Sequence, residues 1–379
     1  MKGLRYFVLP LAVTASLVWV VGLSAQGPKS TNSETVARPK KGNSTKPAEV
    51  EQPKIPSRFG KRAEQEGKEG VAIFTTDAVT VTVDTAVIDN KGHFIPGIPR
   101  GNFRVLEDNV PQQVNGISMG EAPMTIALVV EFSNLFQQYY SEPWYQTISA
   151  AYGFLGTLRK DDYVAIIAYD LRPEILSDFS KDRQDTQVAM SRLRMAGFSE
   201  SNLYDALVFT AERMADIEGR KAILVLTSGI DTFSKLTFDK TRKALQNAGV
   251  PVYAFSLMQA TRILAESYGQ MGPLARMDFL QADNALRTFS KETGGMAFFP
   301  RFYGEFPGIF QSLNEILRNQ YVITYVPTNQ ERDGKFRKIK VEIVNPETNE
   351  PLRVTDEKGK PVKYTIQAKP GYTAPRAVE

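Results

Sequence analysis

Thr125-Ile126-Ala127-Leu128-Val129-Val130 is an unbroken apolar run that ends at Glu131. A strand with one face in water alternates apolar and polar residues. A run with no polar residue must be covered on both faces, as in parallel sheets flanked by helices. Three more runs of this kind follow: Tyr163-Val164-Ala165-Ile166-Ile167-Ala168-Tyr169, Lys221-Ala222-Ile223-Leu224-Val225-Leu226-Thr227 and Val250-Pro251-Val252-Tyr253-Ala254-Phe255-Ser256-Leu257. Between and after them lie segments with helical spacing, at 141–158, 183–195, 203–216, 237–248, 280–293 and 306–319. Gly249 and Gly294-Gly295 stop two of these helices, and a further strand is expected at 321–326. Strands alternating with helices predict an α/β fold with a doubly wound, mostly parallel sheet.

Upstream the rhythm differs. Residues 79–89 alternate with period two, and Asn90-Lys91-Gly92-His93 reads as a turn. Short extended pieces at 94–99, 102–107 and 111–114 are separated by turn residues, Asp108-Asn109 among them. Such spacing predicts a small antiparallel β unit. Downstream, Asp333-Gly334 reads as a tight turn before a strand at 335–343, and 361–369 reads as a last strand. The expected organisation is a signal peptide or N-terminal anchor at 1–25, a disordered linker at 26–70 and a small β unit at 71–122. An α/β domain at 123–330 follows, then C-terminal strands and tail at 331–379 that pack on the β unit.

The chain has 379 residues, 42% hydrophobic and 23% charged, which excludes a wholly disordered or fibrous protein. Lys2 and Arg5 precede an uncharged, largely apolar stretch from Tyr6 to Ala25, the pattern of an export signal or anchor. Residues 26–70 carry ten Lys/Arg against six Glu and one aromatic, Phe59. They cannot bury enough apolar surface to offset their ordering entropy. The first seventy residues therefore carry +6 and the rest −2, giving the net charge of +4, and no nucleic-acid partner is implied. Cysteine is absent and His93 is the only histidine, which excludes disulfides, thiolate sites and a zinc site with two histidines.

In an open doubly wound sheet, ligands bind outside the carboxyl ends of the strands. Those positions hold Glu131-Phe132-Ser133-Asn134-Leu135, Ser199-Glu200-Ser201-Asn202 and Ser228-Gly229-Ile230-Asp231-Thr232. Carboxylates and hydroxyls suit Mg²⁺, Ca²⁺ or Mn²⁺. No glycine-rich phosphate loop follows the first strand. Asp205 falls in the first turn of a helix, where a capping role is expected. Phe132, Leu135, Phe136, Tyr139 and Tyr140 cluster beside the first loop. Residues 258–280, with Met258, Met271 and Met277, read as a long insertion bordering the same face.

The order and spacing of several stretches resemble the von Willebrand factor A domain, and more narrowly the exported bacterial VWFA-related domain family. They are Val87-Ile88-Asp89-Asn90-Lys91-Gly92 with Ile95-Pro96-Gly97, and Phe103-Arg104-Val105-Leu106-Glu107-Asp108-Asn109-Val110-Pro111-Gln112. Leu203-Tyr204-Asp205-Ala206-Leu207, Val225 to Thr232, Gln320 to Tyr325 and Lys369-Pro370-Gly371-Tyr372 continue the likeness over residues 80–372. The resemblance implies a von Willebrand factor A/Rossmann-like sheet and a metal-ion-dependent adhesion site. That site normally opens with Asp-x-Ser-x-Ser, where this chain has Glu131, Ser133 and Leu135. Its threonine ligand falls at Ser201 and its last acidic ligand at Ser228, leaving Asp231 as a substitute carboxylate. The expected metal set is thus a degenerate Glu131, Ser133, Ser201 and Asp231, holding no ion or only a weak Mg²⁺, Mn²⁺ or Ca²⁺. The expected partner contacts are Phe132, Leu135, Phe136 and Ser228.

The resulting expectation is a non-enzymatic, exported interaction module of adhesion type, periplasmic, secreted or envelope-anchored, that binds a protein partner through its strand-end loops. It would touch a membrane only through an uncleaved N-terminal segment. The alternatives are a divalent-metal-dependent adhesion module with a remodelled site and a hydrolase using Glu131 and Asp231 as a carboxylate pair.

Overall fold

The computed structural model describes residues 79–119, 122–133, 142–193, 200–355 and 359–376. The expected signal segment, linker and start of the β unit lie outside them, as do Leu135 and Phe136. In chain order the strands and helices begin with β1 (Val81–Asp89), β2 (Phe103–Glu107), β3 (Val110–Gln112), β4 (Val114–Met119) and β5 (Met124–Glu131). Then come α1 (Glu142–Thr157), β6 (Tyr163–Tyr169), β7 (Pro173–Ser180), α2 (Arg183–Ser191), α3 (Leu203–Ala215), β8 (Arg220–Thr227) and α4 (Phe238–Ala248). After them follow β9 (Val252–Ser256), α5 (Gln259–Ser267), α6 (Pro273–Thr293), β10 (Ala297–Phe298) and α7 (Phe306–Asn319). The chain ends with β11 (Tyr321–Tyr325), β12 (Phe336–Ile343), β13 (Val354–Thr355), β14 (Pro361–Val362), β15 (Tyr364–Ala368) and β16 (Gly371–Thr373).

The central sheet has the order β10-β9-β8-β5-β6-β7. All its pairs are parallel except β6–β7. Every residue of β5 is buried, as its uninterrupted apolar run demands. One core lies on each face. Phe154, Phe255, Phe306 and Phe310 fill the first, and Leu203, Leu207, Leu245 and Phe289 the second. The chain moves from β5 to β6 on one side and returns to β8 on the other. The switch point of the sheet therefore falls at the carboxyl end of β5.

Two antiparallel sheets, β15-β1-β11-β4 and β16-β12-β2-β3, share a separate core of Val83, Val87, Phe103, Val105, Ile323, Tyr325 and Ile343. The appended β unit and the C-terminal strands are thus one sandwich. β2 turns into β3 through Asp108 and Asn109, both with positive φ (46° and 68°), a backbone short polar residues tolerate.

Three expectations are corrected. The strand expected at 321–326 does not join the parallel sheet: β11 pairs antiparallel with β1 and β4. Its alternating burial, unlike the fully buried β5, marks a sheet covered on one face. Residues 258–280 are not a loop but contain α5 and the first third of α6. α5 has no buried residue, so it carries no core stripe to read, and α6 opens at Gly272 with Pro273 in its first turn. The edge strand β7 falls where no strand was expected, because it begins with a proline and is mostly half-exposed.

Buried ionic groups tie α7 to the amino-terminal end of the central sheet. Asp162 and Arg318 form a bidentate pair, and Asp162 also accepts from Met124 N (2.9 Å) and Arg159 N (2.7 Å). The Arg220 guanidinium donates to the Leu317 carbonyl at the end of α7. Burial pushes the Asp162 carboxyl up, but the hydrogen bonds from Arg318, Met124 and Arg159 hold it below the usual carboxylate range. Asp162→Ala strands a buried guanidinium and is expected to cost about 3–5 kcal/mol in denaturant unfolding. The sign with pH follows from the lowered value. This contribution is complete above the unfolded carboxylate pKa, about 3.9, and is lost as pH falls through the lower folded value. Asp162→Asn should therefore show a shallower loss of stability on acidification than the parent.

Candidate functional site

Glu131 is the last residue of β5, at the switch point, and is fully buried. Its carboxylate is surrounded by donors. Ser133 Oγ donates to Oε1 at 2.7 Å. Thr227 Oγ1 donates to Oε2 at 2.8 Å and Ser228 N to the same oxygen at 2.6 Å. Ser228 Oγ lies 3.0 and 2.9 Å from the two oxygens, sharing one proton between them. Tyr169, at the end of β6, lies 3.2 Å from Oε2 and 2.8 Å from Thr227 Oγ1. Burial, and then the charge of Glu131, push the Tyr169 phenol well above its ordinary pKa, so it stays a neutral donor.

This set does not fit a divalent ion. Mg²⁺ or Ca²⁺ needs several oxygen lone pairs aimed at one shared point. Here the carboxylate spends its lone pairs on protein donors at both oxygens. Ser201, the third hydroxyl of the expected set, is buried with no well-formed hydrogen bond and lies against the Tyr169 phenol. Its backbone is stitched to the neighbouring loop by Ser201 N to Thr232 Oγ1 and Thr232 N to Ser201 O, both 2.8 Å.

Asp231 does not join Glu131. Its Oδ1 accepts from Tyr204 N at 3.0 Å and Ser234 Oγ at 2.6 Å. It satisfies an amide in the first turn of α3, the role expected of Asp205. Burial pushes the Asp231 carboxyl up against those hydrogen bonds. Asp205 instead accepts from Lys235 N (3.0 Å) and Leu236 N (3.1 Å), holding the loop before α4. No group of three or more His, Asp or Glu side chains placed to hold a metal occurs among the described residues.

Of the expected partner contacts, Ser228 is buried and its hydroxyl is committed to Glu131, so it offers no surface. Phe132 is half-buried, packs on the core, and donates its amide to Tyr169 O at 2.7 Å. The contribution of Thr227 and Tyr169 was not read from the sequence. Both are the final residues of strands that flank β5, and that position was the available signal.

Among the described residues at this end, exposed apolar side chains lie on two helices and, with Phe233, on the loop after β8. α6 has 21 residues, about 31 Å at 1.5 Å per residue. Its buried residues all lie from Ala282 onward. Gly229, two residues past β8, packs so closely on α6 that an added Cβ would stand 2.9 Å from Leu286 and 3.3 Å from Ala282. At the other end, Thr293 Oγ1 meets Val252 N at the start of β9. Residues 273–281 therefore project beyond the carboxyl edge of the sheet. α5 lies along them, tied by Arg262 to Asp283 (2.9 Å) and Arg276 to Glu266 (3.6 Å). Leu274, Met277 and Leu280, three residues apart, are exposed, as are Leu264 and Tyr268 on α5.

Glu131→Ala would leave the hydroxyls of Ser133, Thr227 and Ser228 and one amide buried without their acceptor. At about 1–3 kcal/mol for an orphaned buried group, thermal unfolding should reveal a loss of at least about 3 kcal/mol. Glu131→Gln keeps the shape but turns a donor toward donors, and should lose less.

No protein-family model matches the chain, and no curated protein matches it. Among solved structures, the chain is similar to proximal thread matrix protein 1 of the mussel byssus, at 10% identity over 52% of this chain and 49% of that one, with a TM-score of 0.39. It is similar to a mutant of the PilB minor pilin from Streptococcus sanguinis, at 9% identity over 52% and 62% of the two chains, with a TM-score of 0.40. It is also similar to the vWF domain of the type V pilus tip protein Mfa5 from Porphyromonas gingivalis, at 12% identity over 51% and 94%, with a TM-score of 0.37. The chain spans only 49% and 62% of the first two proteins. The fully buried parallel strands, the antiparallel edge strand β7 and the switch point at the carboxyl end of β5 make residues 124–319 a doubly wound, mostly parallel α/β fold.

Proposed function

We propose that this chain is a non-catalytic, exported protein-interaction module that captures its partner on the strand-end face without a metal ion. The observation that carries this reading is the helical hairpin of α5 and the start of α6, which projects past the sheet beside the Glu131 cluster. Leu274 is 79% exposed and Tyr268 is 71% exposed. Exposed apolar residues gathered on one projecting element mark an interaction surface more than scattered ones do. The partner that fits is a protein with its own apolar ridge, flanked by charges that answer Arg276 and Glu266 on the rim.

Metal independence is supported by the filled lone pairs of Glu131. A non-catalytic role is supported by the placement of the two carboxylates: Glu131 is enclosed, and Asp231 is bound to α3. Export is supported by the basic start and the apolar segment of residues 6–25. Among the described residues no helix is long and apolar enough to cross a membrane.

A photoreactive amino acid placed at Leu274 or Met277 in the native cells should yield one discrete protein adduct, unchanged by a chelator. The same group at Val188, an exposed apolar position on α2, should not yield it. The triple change Leu274→Asp, Met277→Asp and Leu280→Asp should abolish the complex while shifting stability by no more than about 0.5 kcal/mol per site. Equal adducts from Val188 and Leu274, or a complex that survives the triple change, would refute the reading.

A further inference from the structure

A cleft of about 720 Å³ opens where the sandwich meets the α/β half, between β12 and the β2–β3 turn on one side and α4 and α6 on the other. Pockets of this volume at a seam between folded units are common small-molecule sites. The cleft lies on a different face from the helical hairpin: Lys291 stands in the last turn of α6, roughly 25 Å along the helix from Leu274.

The lining divides by chemistry. Phe336 and Pro370 give it an apolar wall, while Ile339 lines it through its backbone, its side chain lying in the sandwich core. Phe336 is 39% exposed, so its ring is available for contact. Lys291, Lys338 and Lys340 stand at the cleft with it. Lys340 pairs with Glu342 at 2.7 Å, whereas Lys291 and Lys338 lie within ion-pair distance of no acid among the described residues. The two acids of the lining are already engaged. Asp108 accepts from Lys338 N at 2.9 Å, and Glu292 accepts from Gln246 Nε2 at 3.0 Å and pairs with Arg242 at 3.1 Å. Asp108 keeps its charge, because an amide donor does not neutralise it, so the lining sets three lysines against two carboxylates and stays net positive beside an apolar wall.

We infer that this seam cleft binds an amphiphilic anion, a small molecule with a flat apolar body on Phe336 and Pro370 and a carboxylate or phosphate head between Lys291 and Lys338. The apolar body gains by leaving water, and the head makes charge-assisted hydrogen bonds to the two ammonium groups. The site needs no metal and no contribution from the strand-end face, so it stands or falls independently of the partner surface proposed above.

The test uses the full chain with 2-naphthoate as probe and 2-naphthylmethanol as its neutral counterpart, followed by calorimetry and by amide shifts in NMR spectra. Naphthoate should bind saturably and at least about tenfold more tightly than the alcohol, with shifts centred on Phe336, Ile339 and Thr288. The double change Lys291→Gln and Lys338→Gln should remove that preference at an unchanged melting temperature. Phe336→Ala should weaken both probes. If the double variant melts early, the location of the shifts in the parent decides alone. Absence of saturable binding, equal affinity for acid and alcohol, or shifts confined to the α5–α6 hairpin would each overturn the inference.

Discussion

One buried carboxylate organises the carboxyl end of the central sheet. Glu131 ends β5, and the groups that satisfy it come from its own loop and from the ends of β6 and β8. A buried carboxylate without partners would cost far more than the fold can bear, so those strand ends must converge on it. The hydroxyls reinforce one another: Tyr169 lies 2.8 Å from Thr227 Oγ1, and Thr227 in turn donates to Glu131. An adhesion-type sheet with an ion at this point would draw its loops together around the metal. Here a side chain one methylene longer than aspartate fills that role from within.

With the crevice filled by its own donors, the element among the described residues that projects past this end of the sheet is the helical hairpin set on Gly229. The lack of a Cβ there lets the β8 loop press against α6 and aligns the half of that helix that leaves the sheet. At the opposite end, Asp162, Arg318 and Arg220 bind α7 to the start of the sheet and bring β11 into the sandwich. The molecule is therefore locked by polar groups at both ends of its central strands and by apolar packing between them.

Much of this was legible in the residues. Continuous apolar runs marked β5, β6, β8 and β9 because parallel strands are covered on both faces, and alternation marked β1 for the opposite reason. The same alternation lies in β11, but the rhythm of helix and then strand argued for the parallel sheet and obscured it. The hairpin was legible only as a place. α5 buries nothing, so helical periodicity had no core to report on. Glu131, Ser133, Ser201 and Ser228 were read as neighbours of one site position, yet their direction was not readable. Whether a carboxylate's lone pairs face an ion or protein donors depends on rotamers, which spacing does not encode. The separation of Asp231 from Glu131 is of the same kind, because a loop carboxylate goes to the nearest unsatisfied amide, here that of Tyr204.

Glu131 is satisfied by protein donors on both carboxylate oxygens, which supports the proposal that the site takes no ion. Calorimetric titration of the purified chain with Mg²⁺, Mn²⁺ and Ca²⁺ tests it most directly. The account predicts no saturable heat from any of the three ions. A saturable heat at sub-millimolar metal that disappears in Glu131→Ala would contradict it.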